Sequence, residues 1–336
     1  MNRNQTNLFL TAGVAALFAA SHAGAQPMVV VDDNFADGIT DNGPGQIGFN
    51  TTSSGSALDL AQPAGPVDFA TGNSGRTIHG LFDAQTLSAF GDVLDVTFDF
   101  TTPTTIAADN SSTNEDFKFG LFSTAASPLD FTGSISASSG SPEAGLNSVA
   151  GFFGEIDNIN ASGTDLGIRT HNVNNLVGSG ADSPNGQFMN SNDGFDFIAG
   201  GDDDIINLLP NTDYVGSISV AFTDATLTTL DITIGMMDAA GIAFSDSFTR
   251  TVSIADDPGT SIGVNTTTFD LLAFHATSGA FGGTGGIAPG SSNTGEANNG
   301  IDISNVTVTF TPVPEPGSLA LLGAGACLLA TRRRTA

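Results

Sequence analysis

Basic residues are scarce in this chain, and their scarcity excludes whole classes of ligand. The 336 residues include eight Lys and Arg against 35 Asp and Glu. Four of the basic residues (Arg3 and Arg332–Arg334) and one acidic residue (Glu315) lie at the two ends, so residues 26–311 carry a formal charge of −30. Such a charge repels phosphate backbones and anionic lipid headgroups. We therefore expect no nucleic-acid partner.

Cysteine and tryptophan are nearly absent as well. The single cysteine, Cys327, lies close to the C-terminus, so the rest of the chain has no disulfide and no thiol chemistry. There is no tryptophan and Tyr214 is the only tyrosine, so any aromatic platform for a sugar must use phenylalanine. The 25 phenylalanines predict a substantial core. His79, His171 and His275 lack the convergent spacing of zinc ligands, and we expect ordinary strand histidines.

The N-terminal residues 1–25 have the three parts of a secretory signal peptide. Arg3 precedes an apolar run over residues 8–20, and Ala23 and Ala25 stand at the two positions that a signal peptidase reads. The run is shorter than the roughly 20 residues of a permanent membrane anchor. We expect export by the Sec translocon, cleavage by signal peptidase and a mature chain that starts at Gln26.

The C-terminal residues 312–336 also have three parts. A rigid polar break, Val313-Pro314-Glu315-Pro316, precedes an apolar run over residues 319–330 and a basic stop, Arg332-Arg333-Arg334. As a helix the run would span only about 18 Å, well short of the roughly 30 Å hydrocarbon core, so it would hold weakly. The arginines favour a cytoplasmic position for the end of the chain, which places everything before Pro314 outside.

These parts, in this order and position, resemble the PEP-CTERM sorting signal of exopolysaccharide-producing Gram-negative bacteria. The resemblance implies recognition by an integral-membrane exosortase and transient anchoring by the short helix. It also implies delivery to the cell envelope, the outer surface or the extracellular matrix, with exopolysaccharide as a candidate partner. An ordinary single-span anchor is the alternative, but it does not need the Pro-Glu-Pro.

Between the two ends, apolar and polar residues alternate in the manner of half-buried strands. The clearest segments are 92–100, 116–123, 214–222, 230–236, 269–275 and 301–310. Weaker ones are 29–31, 57–60, 76–82, 150–157, 166–170 and 243–252. Strands without crossover helices pair antiparallel, so residues 26–311 are predicted to form one all-β, two-sheet antiparallel sandwich. Residues 172–204 and 277–300 are predicted to be long loops.

The layout resembles the concanavalin A-like lectin and glucanase sandwich, a jelly-roll fold. The resemblance rests on the opening segment 32–38 (DDNFADG), on segment 76–82 followed by DVLDVTFDF, and on the strand FKFGLF over 117–122. It also rests on a last strand that runs straight into the tail. The resemblance implies a body that binds or cleaves carbohydrate. The two ends of the sequence add an N-terminal signal helix and a short C-terminal transmembrane helix.

One segment carries a trace of hydrolase chemistry. Gly154-Glu155-Ile156-Asp157 resembles the start of the E-I-D-x-x-E strand of laminarinase-type glycoside hydrolases. Retaining hydrolysis needs two carboxyl groups about 5 Å apart, but Asn158, Ile159 and Asn160 follow and supply no second acid. We therefore expect no catalytic residue and read the segment as a solvent-facing strand edge. A glycan-active hydrolase is the alternative function.

Aspartates stand in short clusters that suit calcium. Ca²⁺ takes about six to eight oxygen ligands from carboxylates and carbonyls. No EF-hand spacing occurs, so no ligand set follows from the sequence. The candidate ligands are Asp32, Asp33, Asp37, Asp202, Asp203 and Asp204. The alternative is that these residues only form turns and face water.

Overall fold

The computed structural model describes residues 26–37, 43–51, 67–69, 76–102, 117–125, 149–156, 166–171, 196–200, 208–238, 245–255, 263–276 and 301–313. These ranges form fourteen β-strands and no helix. The two terminal helices and the strand expected at 57–60 lie outside them. The strands are β1 (Met28–Asp33), β2 (Phe49–Thr51), β3 (Val67–Phe69), β4 (Arg76–Thr86), β5 (Val93–Thr101), β6 (Phe117–Ser123), β7 (Ala150–Ile156), β8 (Leu166–His171), β9 (Asp196–Gly200), β10 (Asp213–Ala221), β11 (Thr229–Asp238), β12 (Ser245–Ser253), β13 (Thr268–Ala276) and β14 (Ile301–Thr311).

The strands form two seven-stranded antiparallel sheets. Sheet A has the order β1-β14-β5-β10-β11-β12, and β3 pairs with β14 beside β1. Sheet B has the order β2-β4-β13-β6-β7-β8-β9. All the clearly alternating segments are strands of these sheets, so the predicted all-β, two-sheet antiparallel sandwich is confirmed.

Strand β5 shows why alternation was a reliable guide. Leu94, Val96, Phe98 and Phe100 are buried, whereas the residues between them are half-buried or exposed. Because successive side chains point to opposite faces, one face of the strand joins the core and the other faces outward. The neighbouring strand β10 repeats the same pattern, which aligns two apolar stripes in the middle of sheet A.

The prediction of one loop over residues 172–204 was wrong in part. Residues 196–200 form β9, which pairs with β8 at the end of sheet B. The segment is short and glycine follows it, so its sequence signal is weak. An edge strand forms its backbone hydrogen bonds with one neighbour only. Pairing with β8 therefore stabilises β9, although the sequence pattern of the segment does not predict a strand.

Phenylalanine rings join the two sheets. The Phe98 ring of sheet A lies 4.8 Å from Phe274 and 5.1 Å from Phe119 of sheet B, both in edge-to-face geometry. Gly216 on β10 is the direct partner of Phe98 on β5. A methyl group built on Gly216 would lie 2.1 Å from Phe98 Cζ, so the glycine provides room for the central ring.

We expect Gly216→Ala to destabilise the fold by about 1–3 kcal/mol, because the added methyl forces Phe98 out of its packed position. Urea unfolding of the variant and the parent measures the difference. Ser217→Ala, a half-buried position on the opposite face of the same strand, is the matched control and should change stability little. Equal midpoints for Gly216→Ala and the parent would contradict this account of the core.

Candidate functional site

The middle of sheet B is buried on its outer face as well as on the face that packs against sheet A. Strands β6 and β7 are buried at every position, which a strand with one solvated face does not show. Part of the outer face is an apolar cluster separate from the main core, formed by Phe122, Val149, Phe153, Leu271 and Ala273 with Leu81 packed against it. The other part of this face is polar.

The polar part is centred on Lys118, the only lysine of the chain. Its side chain is fully buried, and its Nζ lies 2.8 Å from Glu155 Oε1. The other carboxylate oxygen of Glu155 accepts a hydrogen bond from Arg169 Nε. Lys118 and Glu155 are direct partners on β6 and β7, and Arg169 lies on β8. Three neighbouring strands are therefore linked by charge.

Two histidines extend this polar part toward β4. The register aligns Thr77, His275, Lys118 and Glu155 in one row across four strands. Thr77 Oγ1 and His275 Nδ1 are 2.7 Å apart, within hydrogen-bonding distance. His79 is also fully buried and lies two residues from Thr77 along β4. Among the residues that the structure describes, none hydrogen-bonds to His275 Nε2.

Burial, and secondarily the charge of Lys118, lowers the pKa of His275 well below its usual 6.5. The imidazole is therefore neutral at neutral pH, with one nitrogen as donor and the other as acceptor. The row has a neutral half, Thr77 and His275, and an ionic half, Lys118 and Glu155. Arg169, opposite Phe153 on the neighbouring strand, adds a second cation to Glu155 and reaches solvent, with 16% of its side chain exposed.

Glu155 does not lie on a solvent-facing strand edge, so that interpretation was wrong. Strand β7 has neighbours on both sides, and Glu155 is only 2% exposed. Both its oxygens contact cations, so each oxygen already has a partner within sheet B. The described residues around it on this face, Lys118, Gly120, Phe153, Gly167 and Arg169, include no second carboxylate. Asp157 lies outside the described residues.

The aspartates that were calcium candidates have other partners where the structure describes them. Asp33 is buried, and its two carboxylate oxygens accept hydrogen bonds from Phe35 N at 2.8 Å and Ile47 N at 2.9 Å. Asp32 is exposed, and Asp37 bonds to the Gln46 side chain. In the described ranges no three His, Cys, Asp or Glu side chains form a group that could hold a metal. Asp202–Asp204 lie outside those ranges, and calcium stays a prediction.

The described part of the chain includes little of the terminal motifs. Gln26 is exposed ahead of β1, and Val313 follows β14 after one residue. Ala23, Ala25, Pro314, Glu315, Pro316 and Arg332–Arg334 fall outside the described residues. No helix in the described ranges is long and apolar enough to cross a membrane, and the run over 319–330 is not among them.

Comparison with family models identifies one segment of the chain. Residues 312–334 match the model described as the PEP-CTERM protein-sorting motif. The C-terminus carries a PEP-CTERM sorting motif. The predicted sorting signal is thereby confirmed, and it implies that the protein is exported, processed by an exosortase and anchored in the cell envelope.

Solved structures similar to the chain include lectins and a glucanase. Lectin I from Ulex europaeus is 12% identical, with a TM-score of 0.43 over 85% of this chain and 98% of the lectin. The basic winged bean lectin is 10% identical, with a TM-score of 0.40 over 86% and 100%. The endo-1,3-β-glucanase from Streptomyces sioyaensis is 14% identical, with a TM-score of 0.39 over 86% and 98%. A search of curated proteins found no match.

The row around Lys118 was not predicted from the sequence. His275 was expected to be an ordinary strand residue, and neither Lys118 nor Arg169 was a candidate site residue. One signal was present: the only lysine of the chain stands between Phe117 and Phe119, which were predicted to face the core. The pairing with Glu155 depends on the register of β6 and β7, which no short sequence pattern specifies.

We expect Glu155→Gln to destabilise the protein by about 3–5 kcal/mol, because it leaves Lys118 buried without its counter-charge. Lys118→Met should cost less, because Glu155 keeps Arg169. The double variant should be more stable than Glu155→Gln alone, a coupling that urea unfolding of all three measures. Asp83→Asn, an exposed carboxylate on β4, is the control. Additive effects of the two substitutions would contradict the proposed coupling.

We also expect stability to fall as the pH drops below about 6.5, the value at which the histidine of the unfolded chain takes up a proton. In the folded protein the lowered pKa keeps His275 unprotonated. Each unit by which the pH falls therefore lowers the free energy of unfolding by up to about 1.4 kcal/mol. His275→Gln should flatten this slope by up to one proton. Urea unfolding between about pH 5 and 7.5 at fixed ionic strength tests it. An unchanged slope would show that His275 titrates normally.

Proposed function

We propose that this chain is a non-catalytic, polysaccharide-binding protein of the cell surface or extracellular matrix, delivered there through its sorting motif. The observation that carries the proposal is the state of Glu155, the carboxylate on which hydrolase chemistry would depend. Lys118 and Arg169 hold both of its oxygens, so it serves as an anchor for sheet B and not as a reacting group.

The geometry around Glu155 supports binding over hydrolysis. A general acid must come within hydrogen-bonding distance of its substrate, whereas Glu155 is 2% exposed and each of its oxygens contacts a cation of sheet B. The strand partners of Glu155 on either side are Lys118 and Gly167, neither of which is an acid. A laminarinase-like hydrolase, the alternative function, would therefore need both reacting groups from outside the described residues.

The charge of the body favours a neutral, hydroxyl-rich ligand. With four basic residues and a formal charge of −30 over residues 26–311, the body repels phosphates and polyanions at long range. A neutral polysaccharide meets no such barrier. The sequence resemblance to concanavalin A-like sandwiches, and the two-sheet architecture, support the same class of ligand. A calcium ion held by the Asp-rich segments remains compatible with it.

Sorting proceeds in two membrane steps under this proposal. The Sec translocon exports the chain and signal peptidase releases residues 1–25. The run over 319–330 then holds the protein in the membrane until the exosortase acts at the Pro-Glu-Pro. Exopolysaccharide outside the cell is the proposed final partner of the body.

We expect the mature protein to bind at least one neutral polysaccharide on a glycan array and to release no reducing ends from it. The array and a reducing-sugar assay, run on the same purified protein, measure the two properties separately. Hydrolysis of any bound glycan would overturn the non-catalytic assignment. Absence of binding to any neutral glycan, including the host's own exopolysaccharide, would overturn the ligand class.

A further inference from the structure

The sorting tail leaves the body at a fixed point. Strand β14 ends at Thr311, and Val313 N donates a 2.8 Å hydrogen bond to Asp92 Oδ1. Asp92 is only 2% exposed, and its other oxygen accepts hydrogen bonds from the backbone nitrogens of Ser88 and Ala89 at 2.7 and 2.8 Å. The first residue of the Val-Pro-Glu-Pro segment is therefore fastened to the turn before β5.

Several segments meet at this exit point. Gly91 N donates to Phe222 O at 2.8 Å, which ties the turn before β5 to the turn between β10 and β11. Met28 pairs with Phe310, and Thr311 pairs with Val93, so β1 begins here as well. We call residues 28–29, 88–93, 222–228 and 310–313 the tail end of sheet A.

The tail end is where most exposed large hydrophobic side chains of the described residues lie. Seven such side chains are more than a third exposed. Five belong to the tail end: Met28, Val29, Phe90, Leu227 and Val313. Leu209 and Met237 lie at the opposite end of the sheet, beside Thr102 and Val215. Single exposed apolar residues are ordinary, but five at one end indicate a contact surface.

Leu227 adds an independent sign of function. Its φ is 55°, in the left-handed region where leucine is strained and glycine or asparagine is favoured. A strained backbone of this kind lowers the stability of the fold, and such strain concentrates at functional sites. Leu227 is 37% exposed, so part of its apolar surface is available to a partner.

We propose that the tail end of sheet A docks on the surface of the lipid bilayer that the sorting tail enters. Five residues, 314–318, separate Val313 from the apolar run, and fully extended they span about 18 Å at most. With the run inserted, the tail end cannot lie far from the headgroups. The tether keeps the local concentration high, so a few apolar side chains suffice for contact. This inference rests on the membrane anchoring under the proposed function.

The charge at the tail end indicates which lipid suits it. Hydrogen bonds from Thr226 and Thr228 lower the pKa of Asp224 to about 2, so this exposed carboxylate stays ionised. Asp92 is covered and faces backbone donors. No described residue of the tail end is basic. The contact is therefore apolar and fits zwitterionic headgroups, whereas anionic ones are repelled.

The absence of tryptophan makes a direct test simple. Phe90→Trp places one fluorophore at the tail end, and Leu209→Trp places one at the opposite end; both native side chains are 55% exposed. Each mature full-length variant is reconstituted into phosphatidylcholine vesicles with brominated acyl chains. Emission from the Phe90→Trp variant should fall by at least about twofold, because side chains of an interfacial surface enter roughly 5–10 Å into the boundary. Emission from the Leu209→Trp variant should not change.

Flotation of the vesicles separates this inference from the proposed anchoring. If the protein floats and neither variant is quenched, or both are quenched equally, docking is wrong while anchoring stands. A blue-shifted but unquenched emission from the Phe90→Trp variant shows that a second copy or the run over 319–330 covers the patch, which also overturns docking. A protein that does not float overturns the anchoring and the docking together.

A second substitution tests the strained turn. Leu227→Asn in the Phe90→Trp protein should raise the thermal unfolding midpoint, because asparagine tolerates the left-handed backbone. It should also reduce the quenching of the tail-end tryptophan by brominated lipid. A lowered midpoint would show that Leu227 serves packing within the body. Unchanged quenching would remove Leu227 from the docking surface, and the proposed role of the strained turn would be wrong.

Discussion

The buried ion pair of Lys118 and Glu155, extended by the half-buried Arg169, constrains how the strands of sheet B can pair. Taking an ammonium and a carboxylate out of water costs several kcal/mol each unless they pair. Here the pairing requires β6, β7 and β8 to lie side by side in one register. A slip of one residue would turn Lys118 toward the phenylalanines of the core. On the other side of β6, the register with β13 places His275 beside Lys118, and burial together with that charge lowers the pKa of the imidazole.

Under the proposed function, the same constraint separates this site from hydrolase chemistry. Glu155 is buried and both of its oxygens contact cations, so it is not exposed to a substrate. Glu155 stands in a segment that resembles a catalytic strand, yet its neighbours use it as a counter-ion. The function of a protein depends on the residues of its site and not on the fold alone. The sandwich by itself is compatible with either role, and the partners of one residue favour the binding role.

Alternation predicted which face of a strand each residue occupies, but not what lies over that face. In β6 it separated Phe117 and Phe119 from Lys118 correctly, because the pleat imposes a period of two. It implied that Lys118 faces water, whereas the outer face of sheet B is covered. Burial of an outer face depends on distant segments, and Asp33 illustrates the same limit. Its pattern suited a metal ligand, and the fold uses it to accept two backbone N–H groups.

The position of β14 connects the folding of the body to sorting. Its partners are β1 and β3 on one side and β5 on the other, so contacts within sheet A join residues nearly the whole length of the body apart. Such long-range pairings form slowly, because the entropy of closing a long loop is lost before the contacts between the strands stabilise the pair. Val313 binds Asp92 only when β14 and β5 are adjacent. The start of the Val-Pro-Glu-Pro segment therefore takes its fixed position only after β14 has paired with β5. In an unfolded chain this segment has no fixed position.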